Sequence, residues 1–227
     1  MSFSYIERNL YALREELHRL GGGRDIRLVC VTKSGTDEEL LALCRAGAQD
    51  IAENRPQELV RRGALMREAG FTPKLHEIGN LQKNKVRHIL PLDPLIHSVA
   101  SVALAEQIER LAAQQARTVD VLLEINSGRE AAKGGVLPEE AEDVFRRLTE
   151  MPHLRVLGLM TMAPVAEDPE QARPYFRDTR RLFEHLGERY GYATDAPVLS
   201  MGMSDSYPVA IQEGSTLVRV GRKLFVK

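Results

Sequence analysis

The sequence predicts a single domain over residues 1–227, folded as a closed (β/α)8 TIM barrel with one extra helix at its N-terminus. Three observations predict it. Short apolar runs of strand composition alternate with helical patterns from residue 27 to the end. Eight such runs occur, the number that closes this barrel. The length of 227 residues is near the roughly 250 typical of the fold, with little left over for a second domain.

The extra helix comes first. Ile6, Leu10, Leu13, Leu17 and Leu20 recur at helical spacing and the pattern stops at Gly21-Gly22-Gly23. Strands are predicted over Arg27–Thr32, Asp50–Ala52, Lys74–Ile78, Leu95–Ser98, Val119–Ile125, Val156–Met160, Val198–Ser200 and Leu217–Val220. Helices fall between them, near 36–46, 55–69, 82–89, 101–116, 138–150, 168–190 and 204–213. Ser98 is read as a start signal for the helix near 101, and Pro138-Glu139-Glu140 as the first turn of the helix near 138. Gly47 and Gly70 are read as stops. An open doubly wound sheet is the competing architecture; no GxGxxG follows the first strand, which counts against its dinucleotide-binding version.

Composition narrows the function. The formal net charge is −1, aromatics make up 5% and Trp is absent, unlike a nucleic-acid-binding surface. Cys30 and Cys44 sit in apolar patterns without a CxxC and read as small buried hydrophobes. No stretch reaches the ~20 apolar residues of a membrane span. Glu7, Arg8, Arg14, Glu15 and Glu16 interrupt any signal-peptide core, so a cytoplasmic location is expected. The histidines show no metal-ligand spacing, and His76 and His97 read as hydrogen-bonded structural residues.

In a barrel, the residues just after each strand share one mouth. Here they are polar, small or basic: Lys33, Glu53-Asn54, Gly79-Asn80, Ser98, Asn126-Ser127, Met160-Thr161, Ser200-Met201-Gly202-Met203-Ser204 and Arg219-Val220-Gly221-Arg222. Lys33 ends an apolar strand, either snorkelling to solvent or standing ready as an amine for a carbonyl. The last two loops each carry a glycine, and Ser204 is placed to cap the following helix. Loops after strands seven and eight form phosphate sites in many barrels. Asp205 is expected to point away along that helix. An amine, a phosphate site across the mouth and no metal cluster together suggest pyridoxal 5′-phosphate (PLP).

The segments VCVTKS, AENRPQEL, HEIGNLQKNKV, EINSGREAAKGG, GLMTM and LSMGMSDSYPVAIQEGSTLVRVG resemble the pyridoxal-phosphate homeostasis proteins, which share a barrel with the N-terminal domain of alanine racemase. The resemblance spans about residues 27 to 225. It implies that Lys33 is the Schiff-base lysine, and that Asn54 and Met160 line the cofactor ring. Ser200, with the backbone of Met201 and Gly221 and the help of Ser204, is implied to cradle the phosphate, and Arg219 to approach the pyridine nitrogen. Gly35 stands where the family commonly has a second lysine, and Arg222 where a small residue is usual; Arg222 is counted as a further contact to the cofactor.

An arginine beside the pyridine nitrogen disfavours its protonation and weakens the ring as an electron sink. The chain continues only seven residues beyond the last strand, so no second domain is expected to bring a second base. The expectation is therefore a PLP binder acting in vitamin B6 and amino-acid homeostasis, without strong turnover. A PLP-dependent racemase of weak or narrow activity is the alternative. A third reading is a PLP-free barrel aldolase using Lys33. PLP-requiring apo-enzymes are the candidate partners, and a monomer or weak dimer the expected state.

Overall fold

Eight short strands form: β1 Arg27–Val31, β2 Asp50–Glu53, β3 Lys74–Glu77, β4 Leu95–Val99, β5 Val119–Ile125, β6 Leu154–Thr161, β7 Val198–Ser200 and β8 Leu217–Val220. In the computed structural model, which describes residues 3–227, each pairs in parallel with its sequence neighbours and β8 returns to β1, closing the barrel. The side-chain alternation of a strand splits the core into two compartments. Val29 and Val31 pack with Ala52 and Leu217 inside the barrel, whereas Cys30 belongs to the apolar layer between barrel and helices. A second interior cluster joins Leu95, Leu122 and Met160.

The helices are α1 Ser4–Gly21, α2 Asp37–Arg45, α3 Pro56–Glu68, α4 Val86–Ile89, α5 Val102–Gln114, α6 Ala141–Thr149, α7 Arg173–Tyr190 and α8 Tyr207–Gln212. Helix α1 buries Ile6, Leu10, Leu13 and Leu17, and Gly22 ends it in the left-handed conformation. Among the described residues, no helix is long and apolar enough to cross a membrane. Cys30 and Cys44 are buried and free, and burial pushes their thiols up to about 12 and about 11.

Several element starts differ from the sequence reading. Ser98 lies within β4; Ser101 caps α5, its Oγ accepting from the Leu104 N–H at 3.2 Å. Residues 138–140 form a turn, and α6 begins at Ala141. An isolated bridge between Ile125 and Val136 pins the chain beside β5 two residues before that turn. The stretch 82–92 breaks into a four-residue α4 between two 3₁₀ turns, with Pro91 in the second. Ser204 does not cap α8, which starts at Tyr207; its hydroxyl accepts instead from the Gly221 N–H at 3.3 Å.

Candidate functional site

A cavity of about 530 Å³ opens at the C-terminal mouth of the barrel, where the strand ends bring Lys33, Asn54, Glu124, Ser204, Arg219 and Gly221 into its lining. A larger cleft of about 790 Å³ lies at the opposite end around Arg14, Arg27 and Asp50. The arginines there are engaged: Arg14 on the Gly47 carbonyl, Arg24 on that of Ile211, and Arg27 on Asp50. The titratable groups that converge with free donors belong to the mouth.

Lys33 is held in place from behind. The Thr32 side chain turns outward to Glu53, and Arg62 on α3 reaches both of them. The Arg62 guanidinium donates to Glu53 Oε1 at 2.6 Å and to the carbonyls of Thr32 at 2.5 Å and Gly35 at 2.6 Å. This buried clamp fixes the turn after β1, so the next residue, Lys33, projects to the cavity. Gly35 explains its own identity: a Cβ there would meet the Phe225 ring at 2.5 Å, so a lysine cannot stand at this position without displacing Phe225.

Across the mouth Arg219 is 3% exposed and makes three bonds. Its Nη1 donates to the Ser200 carbonyl at 2.9 Å and to Ser200 Oγ at 2.5 Å, and its Nη2 to the Thr161 carbonyl at 3.0 Å. Burial lowers its pKa to about 10, and the Glu124 carboxylate opposes that shift. Glu124 faces the same space; burial raises it to about 6 against the pull of Arg219. Below them a hydrogen-bonded row crosses the interior. Ser200 Oγ lies 3.1 Å from His97 Nδ1, His97 Nε2 lies 2.9 Å from His76 Nδ1, and His76 Nε2 lies 2.8 Å from Asp50 Oδ1.

The loops after β7 and β8 meet beside Arg219. Gly202 holds φ +95°, and a Cβ there would lie 2.6 Å from the Ala210 side chain, so only glycine lets this loop pack on α8. The N–H groups of Ser204, Asp205 and Arg222 have no protein acceptor among the described residues. Three free donors from two loops fit an oxyanion such as a phosphate. The Gly221 N–H is bonded to Ser204 Oγ. Arg222 is exposed at the rim and ion-paired with Asp205, so Asp205 points toward Arg222 and not simply outward.

Three expected site residues lie elsewhere. Met160 is buried in the interior cluster, one layer below the cavity, while Met162 reaches its wall. Ser200 is fully buried, its hydroxyl between Arg219 and His97. Met201 is also fully buried, and its N–H is bonded to the Leu217 carbonyl at 3.2 Å. Sequence reasoning missed Glu124 and Lys133, which also line the cavity. A carboxylate within the apolar run of β5 was the available signal.

A barrel with an amine and a buried guanidinium at its mouth defines a class, and residues 2–226 match the family described as the alanine racemase N-terminal domain. The chain belongs to that family, in its branch of pyridoxal phosphate homeostasis proteins. It is 38% identical over 221 residues to the pyridoxal phosphate homeostasis protein of Aquifex aeolicus, covering 97% of this chain and 95% of that one. The Deinococcus radiodurans protein of the same name is 39% identical over 201 residues, 88% of each chain. Among solved structures, PipY of Synechococcus elongatus with PLP bound superposes with a TM-score of 0.85 at 28% identity, covering 97% of this chain and all of that one. Alanine racemase of Corynebacterium glutamicum shares the fold at a TM-score of 0.75 and 20% identity, with this chain spanning 61% of it.

Proposed function

We propose that this protein binds PLP in the mouth cavity and acts in intracellular vitamin B6 and amino-acid homeostasis, without strong turnover. The observation that carries the reading is the pairing of Lys33 with Arg219 on the wall of one cavity, beside three free backbone donors. PLP needs those three functions: an amine for its aldehyde, a group facing its ring nitrogen and donors for its phosphate. Lys33 supplies the amine, as a Schiff base. The loops 203–205 and 221–222 hold the phosphate through the N–H groups of Ser204, Asp205 and Arg222. Arg219 faces the pyridine nitrogen, and Asn54 the ring. When bound, PLP supplies an aldehyde and a conjugated ring; the always-charged guanidinium keeps that ring a poor electron sink.

The names of the relatives and the PLP-bound neighbour support this reading. It is tested by the visible spectrum of the purified protein, before and after borohydride, with peptide mapping. The expected result is a band that bleaches and a pyridoxyl label on Lys33, absent in Lys33→Ala. No band after adding PLP rejects the proposal.

A racemase of weak or narrow activity is the second reading. Glu124 favours it: a cavity-lining carboxyl with a pKa of about 6 can exchange a proton near neutral pH. Interconversion of an amino-acid enantiomer that disappears in Glu124→Gln decides for it.

A further inference from the structure

The row from Asp50 to Arg219 has a direction, fixed by an acceptor-only carboxylate at one end, a donor-only guanidinium at the other and two neutral histidines between them. An arginine only donates, so Ser200 Oγ accepts from Arg219 Nη1. The Ser200 hydroxyl hydrogen must then go to its other neighbour, His97 Nδ1, which makes that nitrogen an acceptor. His97 therefore carries its proton on Nε2 and donates to His76 Nδ1. By the same step His76 carries its proton on Nε2 and donates to Asp50 Oδ1. A carboxylate only accepts, so the chain ends there. Five side chains satisfy one another in one orientation only, with a cation at the mouth and an anion at the far end.

Resting on the reading of the mouth as a PLP site, we propose that Asp50, His76, His97 and Ser200 are positioning residues for Arg219, a one-way relay that aims its guanidinium at the cofactor ring. Two features support a purpose beyond packing. Apolar residues would fill the barrel interior at less cost than two histidines, a serine and a buried acid. Moreover, the row joins the buried Arg219 guanidinium at the mouth to a buried carboxylate at the opposite end of the barrel, with a hydrogen-bond partner at every step. Asp50 remains ionised: burial pushes its pKa up, but the bonds from His76 and Arg27 outweigh burial and hold it low. Both histidines stay neutral, because burial lowers each and, for His97, the nearby His76 and Arg219 lower it further. The anion itself is anchored at the opposite end by Arg27, at 2.5 Å. Polarisation along the row carries its influence to Ser200 Oγ, the acceptor of Arg219.

The direction can be reversed by one atom. In Asp50→Asn the carboxylate becomes an amide that donates as well as accepts, so the two histidines can exchange tautomer. A reversed row gives Ser200 Oγ two donors and leaves its own hydrogen without an acceptor.

Long-range ¹H–¹⁵N spectra of histidine-labelled protein without cofactor read the tautomers directly. The expected result is the Nε2–H form for both His76 and His97 at pH 7. An Nδ1–H form or an imidazolium at either one overturns the relay, whether or not PLP binds. With PLP added, Asp50→Asn is expected to move the absorbance maximum in the same direction as Arg219→Gln, and Asp50→Glu to restore it. An unchanged spectrum in a folded Asp50→Asn protein overturns the positioning role. A wild-type protein that takes up no PLP rejects the cofactor reading, while the tautomer spectra still decide whether the relay exists.

Discussion

Glu77 shows how much a single buried carboxyl can store. One oxygen accepts the Gly79 N–H at 3.0 Å, and the other is buried without a partner. Burial raises its pKa to about 8; the Gly79 bond opposes the shift and the nearby Glu53 adds to it. A folded-state pKa above the unfolded value means that the native protein holds the proton more tightly. The stability from this site is complete below about pH 4.5 and is lost as the pH rises toward 8. Glu77→Gln removes that slope. The variant is expected to gain Tm over wild type at pH 8 and not at pH 4.5, by calorimetry at both pH values; a constant difference would reject the assignment. At this scale the sequence was legible where chemistry alone marks a residue. Lys33 stood out because a cation at the end of an apolar strand needs a reason, whereas the role of Arg219 was marked only by the family resemblance. Ser200 and Met160 were placed by strand position, but which layer of the interior a residue fills depends on the stagger of eight strands. Only the closed barrel sets that stagger.

Helix stops were legible at Gly47 and Gly70, both in the left-handed region, whereas the starts read at Ser98, Pro138 and Ser204 were displaced and the true cap of α2 was not singled out. Thr36 caps α2 in a capping box with Glu39, each side chain on the other's backbone N–H. Thr36→Ala is expected to cost about 1 kcal/mol, measured by urea unfolding. The start of α6 could not be read, and the bridge that pins the chain before it joins Ile125 and Val136, residues that periodicity does not link. The loop after β3 shows a tighter dependence. A Cβ on Gly79 would fall 2.0 Å from the Asn54 carbonyl, so Gly79→Ala must separate the loops after β2 and β3. Both line the cavity, and the variant is expected to lose PLP affinity by tenfold or more, about 1.4 kcal/mol by titration. Unchanged affinity would show that this wall does not touch the ligand.

Over the whole molecule, stability lies mainly in the layer between barrel and helices. Phe145 on α6 is fully buried there, with the rings of Tyr190 and Tyr192 at 6.0 and 5.5 Å. Phe145→Ala is expected to cost about 3–5 kcal/mol, read as a lower urea midpoint. The closed order of strands was legible from the count of apolar runs. The weakness of one seam was not. Strand β7 has three residues and meets β8 at a single register pair, Ser200 with Leu217. Side chains make up the shortfall: the single Ser215 hydroxyl hydrogen has the Met201 carbonyl of one side at 2.8 Å and the Leu217 carbonyl of the other at 2.9 Å within reach, and Thr216 Oγ1 accepts the Leu199 N–H. Arg219, rooted in β8, reaches the Ser200 carbonyl of β7 and the Thr161 carbonyl of β6. The same guanidinium that faces the cavity is thus a cross-tie through three staves of the wall. Without those bonds the hoop would be held along this line by little more than one register pair and the Ser215 and Thr216 side chains.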